Sequence, residues 1–313
     1  MKWTSSHILS FLNIIVLLVI LHSVNCELDE DLYEVQNDVN EFLKHFKDKG
    51  RNGLYEEYEE IPLKPKSLGI NLRPAYENID ANIVYGADQG SNAYLLTEGP
   101  IKKDVSDFWR MVWDQFVMVI VMTSRTVDDY VKFAQYWPIE TGTTLKIGEN
   151  EFEIIATKIT KFEDYIVTNM QLKNLKLDEQ VREVTHFQYL FWPDFGVPKS
   201  PVSILHLLKH VNKRHEELSS LQPENFGKKM ISPILIHCRA GLGRTGTFTT
   251  IDMAIRNFEN DGDIDIQETL EHLRRQRPYT VETPEQYLFV HLVMVQYLID
   301  HHYIQNTSVK LEL

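Results

Sequence analysis

Apolar residues recur along the chain with two periods, and these divide it into helices and strands. Leu28, Leu32, Val35, Val39, Phe42, Leu43 and Phe46 fall at helical spacing and predict an amphipathic helix that Gly50 and Gly53 break. Leu54 to Ile61 reads as a second, shorter helix. Asn92 to Pro100 predicts a strand and turn, and Asp107 to Trp113 a helix with aromatics in the core. The unbroken apolar run Val117 to Met122 is what a strand covered on both faces requires. Two alternating segments, Thr143 to Thr157 and Tyr165 to Leu175, predict antiparallel strands. Val202 to Ser220, with Ile204, Leu205, Leu208 and Val211 on one face, predicts a surface helix. Ile234, Leu235 and Ile236 form a short β-branched-rich run ending at His237 and Cys238, and a helix follows from Arg244. Two more helices close the pattern. One runs from Ile266 to Arg277; the other opens on the capping box Thr283-Pro284-Glu285-Gln286 and ends near Tyr303.

The first residues have another character. Lys2, the apolar run Ile8 to Leu21, and the small residues before a cut after Cys26 form the pattern of a secretory signal peptide, with an uncleaved signal anchor as the rival. Glu27 to Glu60 holds twelve acidic and four basic residues, a net of −8 against −13 for the whole 313-residue chain. That balance argues against nucleic acid as a partner. After such a cut Cys238 is the one remaining cysteine, so no intramolecular disulfide forms, and a reactive thiolate in an oxidising compartment is open to oxidation. No internal repeat or low-complexity tract is present. The histidines lack ligand spacing, so no metal site is read and no cofactor is implied.

The chemistry concentrates between His237 and Thr245. Arg239, Ala240, Gly241, Leu242 and Gly243 separate Cys238 from Arg244, and the two glycines let successive amides point into one concavity. The following helix aims its positive N-terminus at the same place, which makes an anion site. A thiol there is expected to ionise below its ordinary pKa of about 8.5 and act as a nucleophile. Arg244 supplies a planar fork for two phosphate oxygens, and Thr245 is expected to hydrogen-bond the sulfur.

His237-Cys238-x5-Arg244-Thr245 resembles the signature of the cysteine-dependent protein phosphatases, and the rest of the chain resembles the tyrosine-specific branch. The likeness implies an α/β (α+β) protein tyrosine phosphatase fold, a highly twisted mixed sheet flanked by helices. It divides the chain into a signal peptide (1–26), an acidic helical extension (27–53), a phosphatase domain (54–303) and a tail (304–313).

By this resemblance Trp192-Pro193-Asp194 is the mobile loop that brings Asp194 to the leaving oxygen as general acid, a group worth roughly 10²- to 10⁴-fold. Phe195 stands where the family usually has His. Pro74 to Asn78 occupies the place of the loop that walls the phosphotyrosine slot. There Ala75 replaces an Arg, Tyr76 is left to stack on the ring or on the core, and Asn78 is left to hold the substrate backbone. The segment after Asn78 is shorter than in the family. Lys132, in Lys132 to Pro138, approaches the acid in the family, a solvated surface role being the alternative.

Arg274-Arg275-Gln276-Arg277 matches a basic pattern that supports the site, and Tyr279, where open-site members have Gly, narrows its mouth. Glu282 replaces the first of two Gln that handle the hydrolytic water, and its charge would repel a phosphoryl group. Gln286 keeps the second, with helix capping as its other role.

The function implied is hydrolysis of phosphotyrosine in a protein or peptide through a cysteinyl-phosphate. The alternative is a catalytically weak phosphatase-fold protein that captures phosphotyrosine. A secreted location is expected, with the endoplasmic reticulum lumen or a membrane anchor as alternatives. Asn306-Thr307-Ser308 is a glycosylation sequon, and Lys310 to Leu313 approximates a retrieval signal, although chance explains it as well.

Overall fold

The computed structural model describes residues 34–65, 70–71, 79–86, 93–125, 127–128, 131–132, 134–177, 181–221 and 232–304. Signal peptide, slot-wall residues Tyr76 and Asn78, and tail residues 305–313 lie outside these residues, as does the side chain of Lys132.

Helical residues 34–60 (α1) lead in. Gly50 within them is left-handed at φ +56. His45 and Glu57 are twelve residues apart, about 18 Å along a straight helix. Their side chains nevertheless meet at 2.9 Å, so the helix folds back on itself as the glycines predict. Then follow β1 (Ile70–Asn71), β2 (Ala81–Tyr85), β3 (Ala93–Thr97), α2 (Val105–Asp114), β4 (Val119–Met122), β5 (Val127–Asp128), β6 (Val131–Lys132), β7 (Thr144–Ile147) and β8 (Phe152–Lys161). The chain continues through β9 (Tyr165–Asn174), β10 (Arg182–Tyr189), α3 (Pro201–Ser220), β11 (Ile234–His237), α4 (Gly243–Asp261), α5 (Ile266–Gln276) and α6 (Pro284–Asp300).

The expected single strand Thr143 to Thr157 is instead a hairpin. Gly148, Glu149 and Asn150 all take positive φ between β7 and β8, which pair antiparallel. The alternation in the sequence runs across this turn unbroken and so hides it.

Among the described residues nine strands form one mixed sheet in the order β1-β2-β3-β11-β4-β10-β9-β8-β7. β11 lies between β3 and β4, parallel to both, and β4 is parallel to β10. A strand so placed is buried on both faces. Ile234 and Ile236 enter the core shared with α1, α3, α4, α5 and α6, while Leu235 packs into the core under α2 beside Trp109 and Met111. The sheet is thereby flanked by helices, as expected. Among the described residues no helix is long and apolar enough to cross a membrane.

Candidate active site

The C-terminal end of β11, a parallel strand in mid-sheet, is where an open α/β sheet leaves a crevice. Cys238 follows β11 there, 3% exposed. The next residues wrap round its sulfur: Gly241 N–H donates to Sγ at 3.3 Å. Gly241 requires φ +70, and a Cβ there would overlap the backbone of Thr97 and Glu98, so only glycine fits. α4 starts at Gly243 with no side-chain cap from its own Leu242, which leaves its first amides for an anion.

Arg244, buried at 2% exposure, spans the loop and its lid. Nη1 donates to the Trp192 carbonyl at 3.2 Å, and Nη2 pairs with Asp194 Oδ1 at 3.1 Å. Arg239 Nη1 lies 3.6 Å from the other Asp194 oxygen. The Trp192-Pro193-Asp194 loop is therefore folded over the phosphate loop. Trp192 anchors it: fully buried against Tyr189 and Phe289, it donates Nε1–H to the Gly196 carbonyl at 3.0 Å. Phe195 has φ +56 and is 63% exposed, so the residue that departs from the family pattern faces away from the core.

His237 sits in a hydrogen-bond chain that the sequence does not reveal. The Tyr136 hydroxyl lies 2.6 Å from His237 Nε2 and 2.7 Å from His186 Nε2. His237 Nδ1 is 3.1 Å from the Cys238 carbonyl, which can only accept, so Nδ1 carries the proton. Tyr136 O–H then donates to His237 Nε2 and accepts from His186 Nε2–H. This leaves His186 Nδ1 unprotonated, in keeping with its burial without a partner. Burial pushes the His237 imidazole down to about 4, partly offset by its bond to the Cys238 carbonyl. It also lowers His186 well below the ordinary range. Both rings are neutral at pH 7.

The loop before α6 closes the other side of the site. Arg274 donates to the carbonyls of Thr280, Val281 and Ile61. Tyr58 O–H also reaches Val281 O, at 2.9 Å. These bonds hold Tyr279 at φ +65 and the β-branched Val281 at φ +58, backbone conformations such residues rarely take. Arg277, 2% exposed, supports the phosphate loop from behind through Gly241 O at 2.8 Å and Asn82. Arg274 and Arg277 thus grip backbone carbonyls, whereas Arg275 pairs with Glu268. Tyr279 is 45% exposed.

Glu282 is set directly on the phosphate loop. Its carboxylate accepts the Gly243 N–H, and a Cβ on Gly243 would collide with Oε2. Burial raises its pKa, opposed by the Gly243 bond and by the neighbouring Arg244 and Arg239. Gln286, fully buried, accepts Glu282 N–H through Oε1 at 2.8 Å. Its Nε2 has no partner among the described residues, a donor available to a phosphoryl oxygen or water. Thr283 caps α6 through the Gln286 N–H at 3.2 Å. The Gln286 side chain thus reaches one residue further back than a regular capping box, and cap and site roles coexist.

Thr245 Oγ1 is buried without a hydrogen-bond partner among the described residues, and in this state the sulfur accepts from the Gly241 amide. Thr245 lies in the first turn of α4. Elsewhere, donor atoms of His45, Glu57 and His291 lie within 4.8 Å of one another.

The family described as protein-tyrosine phosphatase matches residues 57–296. The chain is 31% identical over 315 residues to mouse and human tyrosine-protein phosphatase non-receptor type 9, covering 89% of this chain and 52% of those proteins. It is 37% identical over 219 residues to the tyrosine-protein phosphatase Lar-like of Caenorhabditis elegans, covering 70% of this chain and 9% of that one. The chain thus spans about half the length of its non-receptor type 9 relatives.

Proposed function

We propose that this chain, which belongs to the protein-tyrosine phosphatase family, hydrolyses phosphotyrosine in a protein or peptide through a cysteinyl-phosphate. The observation that carries the reading is the convergence of Cys238, Arg244 and Asp194 at the mouth of one anion nest, with acid and guanidinium 3.1 Å apart. In the first step the Cys238 thiolate forms a bond to phosphorus while the phosphorus–oxygen bond to tyrosine breaks. Asp194 gives its proton to the departing phenolic oxygen. Arg244 and the loop amides hold the equatorial oxygens, whose charge is greatest in the transition state. In the second step water attacks phosphorus, the sulfur leaves as thiolate, and Asp194 takes the water's proton. Gln286 Nε2 is the group to hold that water. Tyr136, His186 and His237 touch no reacting atom; they set the backbone on which Cys238 stands.

A second reading is favoured by Glu282. A carboxylate bonded to Gly243 N–H occupies a donor that a phosphoryl oxygen would use. The chain would then hold phosphotyrosine with slow turnover. Phosphate release from a phosphotyrosyl peptide under reducing conditions, beside Cys238→Ser, separates the two. Turnover abolished in the variant supports the enzyme; peptide binding by both forms without turnover supports capture.

A secreted or secretory-pathway location is part of the proposal, supported by the apolar run Ile8 to Leu21 ahead of Cys26. Processed protein in the medium of expressing eukaryotic cells would bear it out, and retention in the cytosol would refute it.

A further inference from the structure

We propose that His45, Glu57 and His291 form a binding site for a zinc-class divalent cation, tying the N-terminal helix to α6. Their donor atoms, two imidazole nitrogens and one carboxylate oxygen, all lie within 4.8 Å of one another. Donors around one tetrahedral zinc ion stand about 3.3 Å apart, given bonds of about 2.0–2.2 Å, so modest side-chain rotations suffice. Two imidazoles and a carboxylate are a donor set that zinc accepts, with a fourth position left for water.

What surrounds the three residues has the form of an outer ligand shell. His291, 1% exposed, is bonded through Nδ1 to the Tyr287 carbonyl at 3.1 Å. A carbonyl can only accept, so Nδ1 carries the proton, and the neutral ring keeps its lone pair on Nε2. Stacking on Phe42, with ring centroids 6.0 Å apart, fixes the ring plane. Tyr287 O–H donates to Glu57 Oε1 at 2.6 Å, holding that carboxylate and leaving Oε2 for the ion. His45 Nε2 already stands 2.9 Å from Oε2. The three residues line a cavity of about 300 Å³ whose wall also carries Asp38, Glu41 and Asp263, a negative approach for a cation.

Lys49 competes with the ion. Its Nζ is 3.3 Å from Glu57 Oε2, and its side chain is 41% exposed, free to swing into solvent once a metal arrives. His45 lies before residue 57, where the family match begins, while Glu57 and His291 lie within it. The extension therefore supplies the ligand that completes the set.

The test uses the full chain in a Cys238→Ser background, so that the active-site thiolate contributes nothing to metal binding. Zn²⁺ is titrated against a chromophoric chelator, and Co²⁺ is followed by its visible absorption. One equivalent of Zn²⁺ is expected, with four-coordinate Co²⁺ absorption. His45→Ala, at a partly exposed position that leaves the fold intact, is expected to weaken binding at least tenfold. Lys49→Ala is expected to strengthen it. A chain that takes up no zinc, or binds it equally well after His45→Ala, overturns the proposal; so does an affinity unmoved by Lys49→Ala.

Discussion

Arg244 and Asp194 meet at 3.1 Å across the phosphate loop, the guanidinium buried and the carboxylate 30% exposed. The same guanidinium holds the Trp192 carbonyl, so one side chain binds the phosphate site to both ends of the acid's short loop. Asp194→Asn keeps the loop's shape and removes the transferable proton. Hydrolysis of a phosphotyrosyl peptide is expected to fall roughly 10²- to 10⁴-fold in kcat. An aryl phosphate whose leaving group needs no proton should lose far less. Equal losses on the two substrates would show that Asp194 acts as a structural partner of Arg244 and not as the acid.

Glu282 brings a second carboxylate to the same nest. Two unit charges a few ångströms apart at such a depth interact by about 1–4 kcal/mol, which an incoming phosphoryl group must overcome. Glu282→Gln is therefore expected to tighten inhibition by inorganic phosphate about tenfold or more. It should also remove any fast stoichiometric release of leaving group that precedes a slower steady state. Because burial raises the Glu282 pKa, repulsion sets in as pH rises through that raised value, and kcat/KM of the unsubstituted chain falls with it. The variant should lack this limb. A superimposable pH profile would clear Glu282 of the role.

The phosphate loop is legible in the sequence because Cys238, both glycines and Arg244 lie within seven residues, and a turn between strand and helix can place them in one way only. Asp194 is legible for a similar reason, its short loop being marked by Trp192 and Pro193. Tyr136, His186 and His237 are another matter. They come from three separated segments, and only the parallel pairing of β4 with both β10 and β11 brings the strands that carry His186 and His237 to either side of one strand. The His45, Glu57 and His291 cluster is hidden likewise, since no local spacing links α1 to α6. In the β7–β8 hairpin, Gly148 is the turn signal that unbroken alternation obscures.

Tyr136 donates to one buried imidazole and accepts from another, and no other described group bonds its hydroxyl. Tyr136→Phe leaves the His186 Nε2–H without an acceptor and His237 Nε2 without a donor. Each buried polar group stripped of its partner costs about 1–3 kcal/mol. The variant is expected to unfold in urea with a stability about 2 kcal/mol or more below the unsubstituted chain. A change under about 0.5 kcal/mol would mean that the chain of bonds contributes little.

The same imidazoles give the protein an acid limit. In the unfolded chain a histidine titrates near about 6.5, whereas burial moves His237 to about 4 and His186 well below the ordinary range. Below pH 6.5 the unfolded state takes up protons that the folded state refuses. The stability from each neutral ring is present in full above that pH and is lost as pH falls toward 4, by about 1.4 kcal/mol per pH unit. Glu282 has the opposite sign: its raised pKa favours the folded state on the acid side, and that contribution is lost as pH rises through the folded value. The urea midpoint is therefore expected to drop between pH 7 and pH 5, and to drop more steeply in Glu282→Gln, which lacks the compensating carboxyl. A midpoint that holds steady over this range in both proteins would show that the two rings accept protons without unfolding the site.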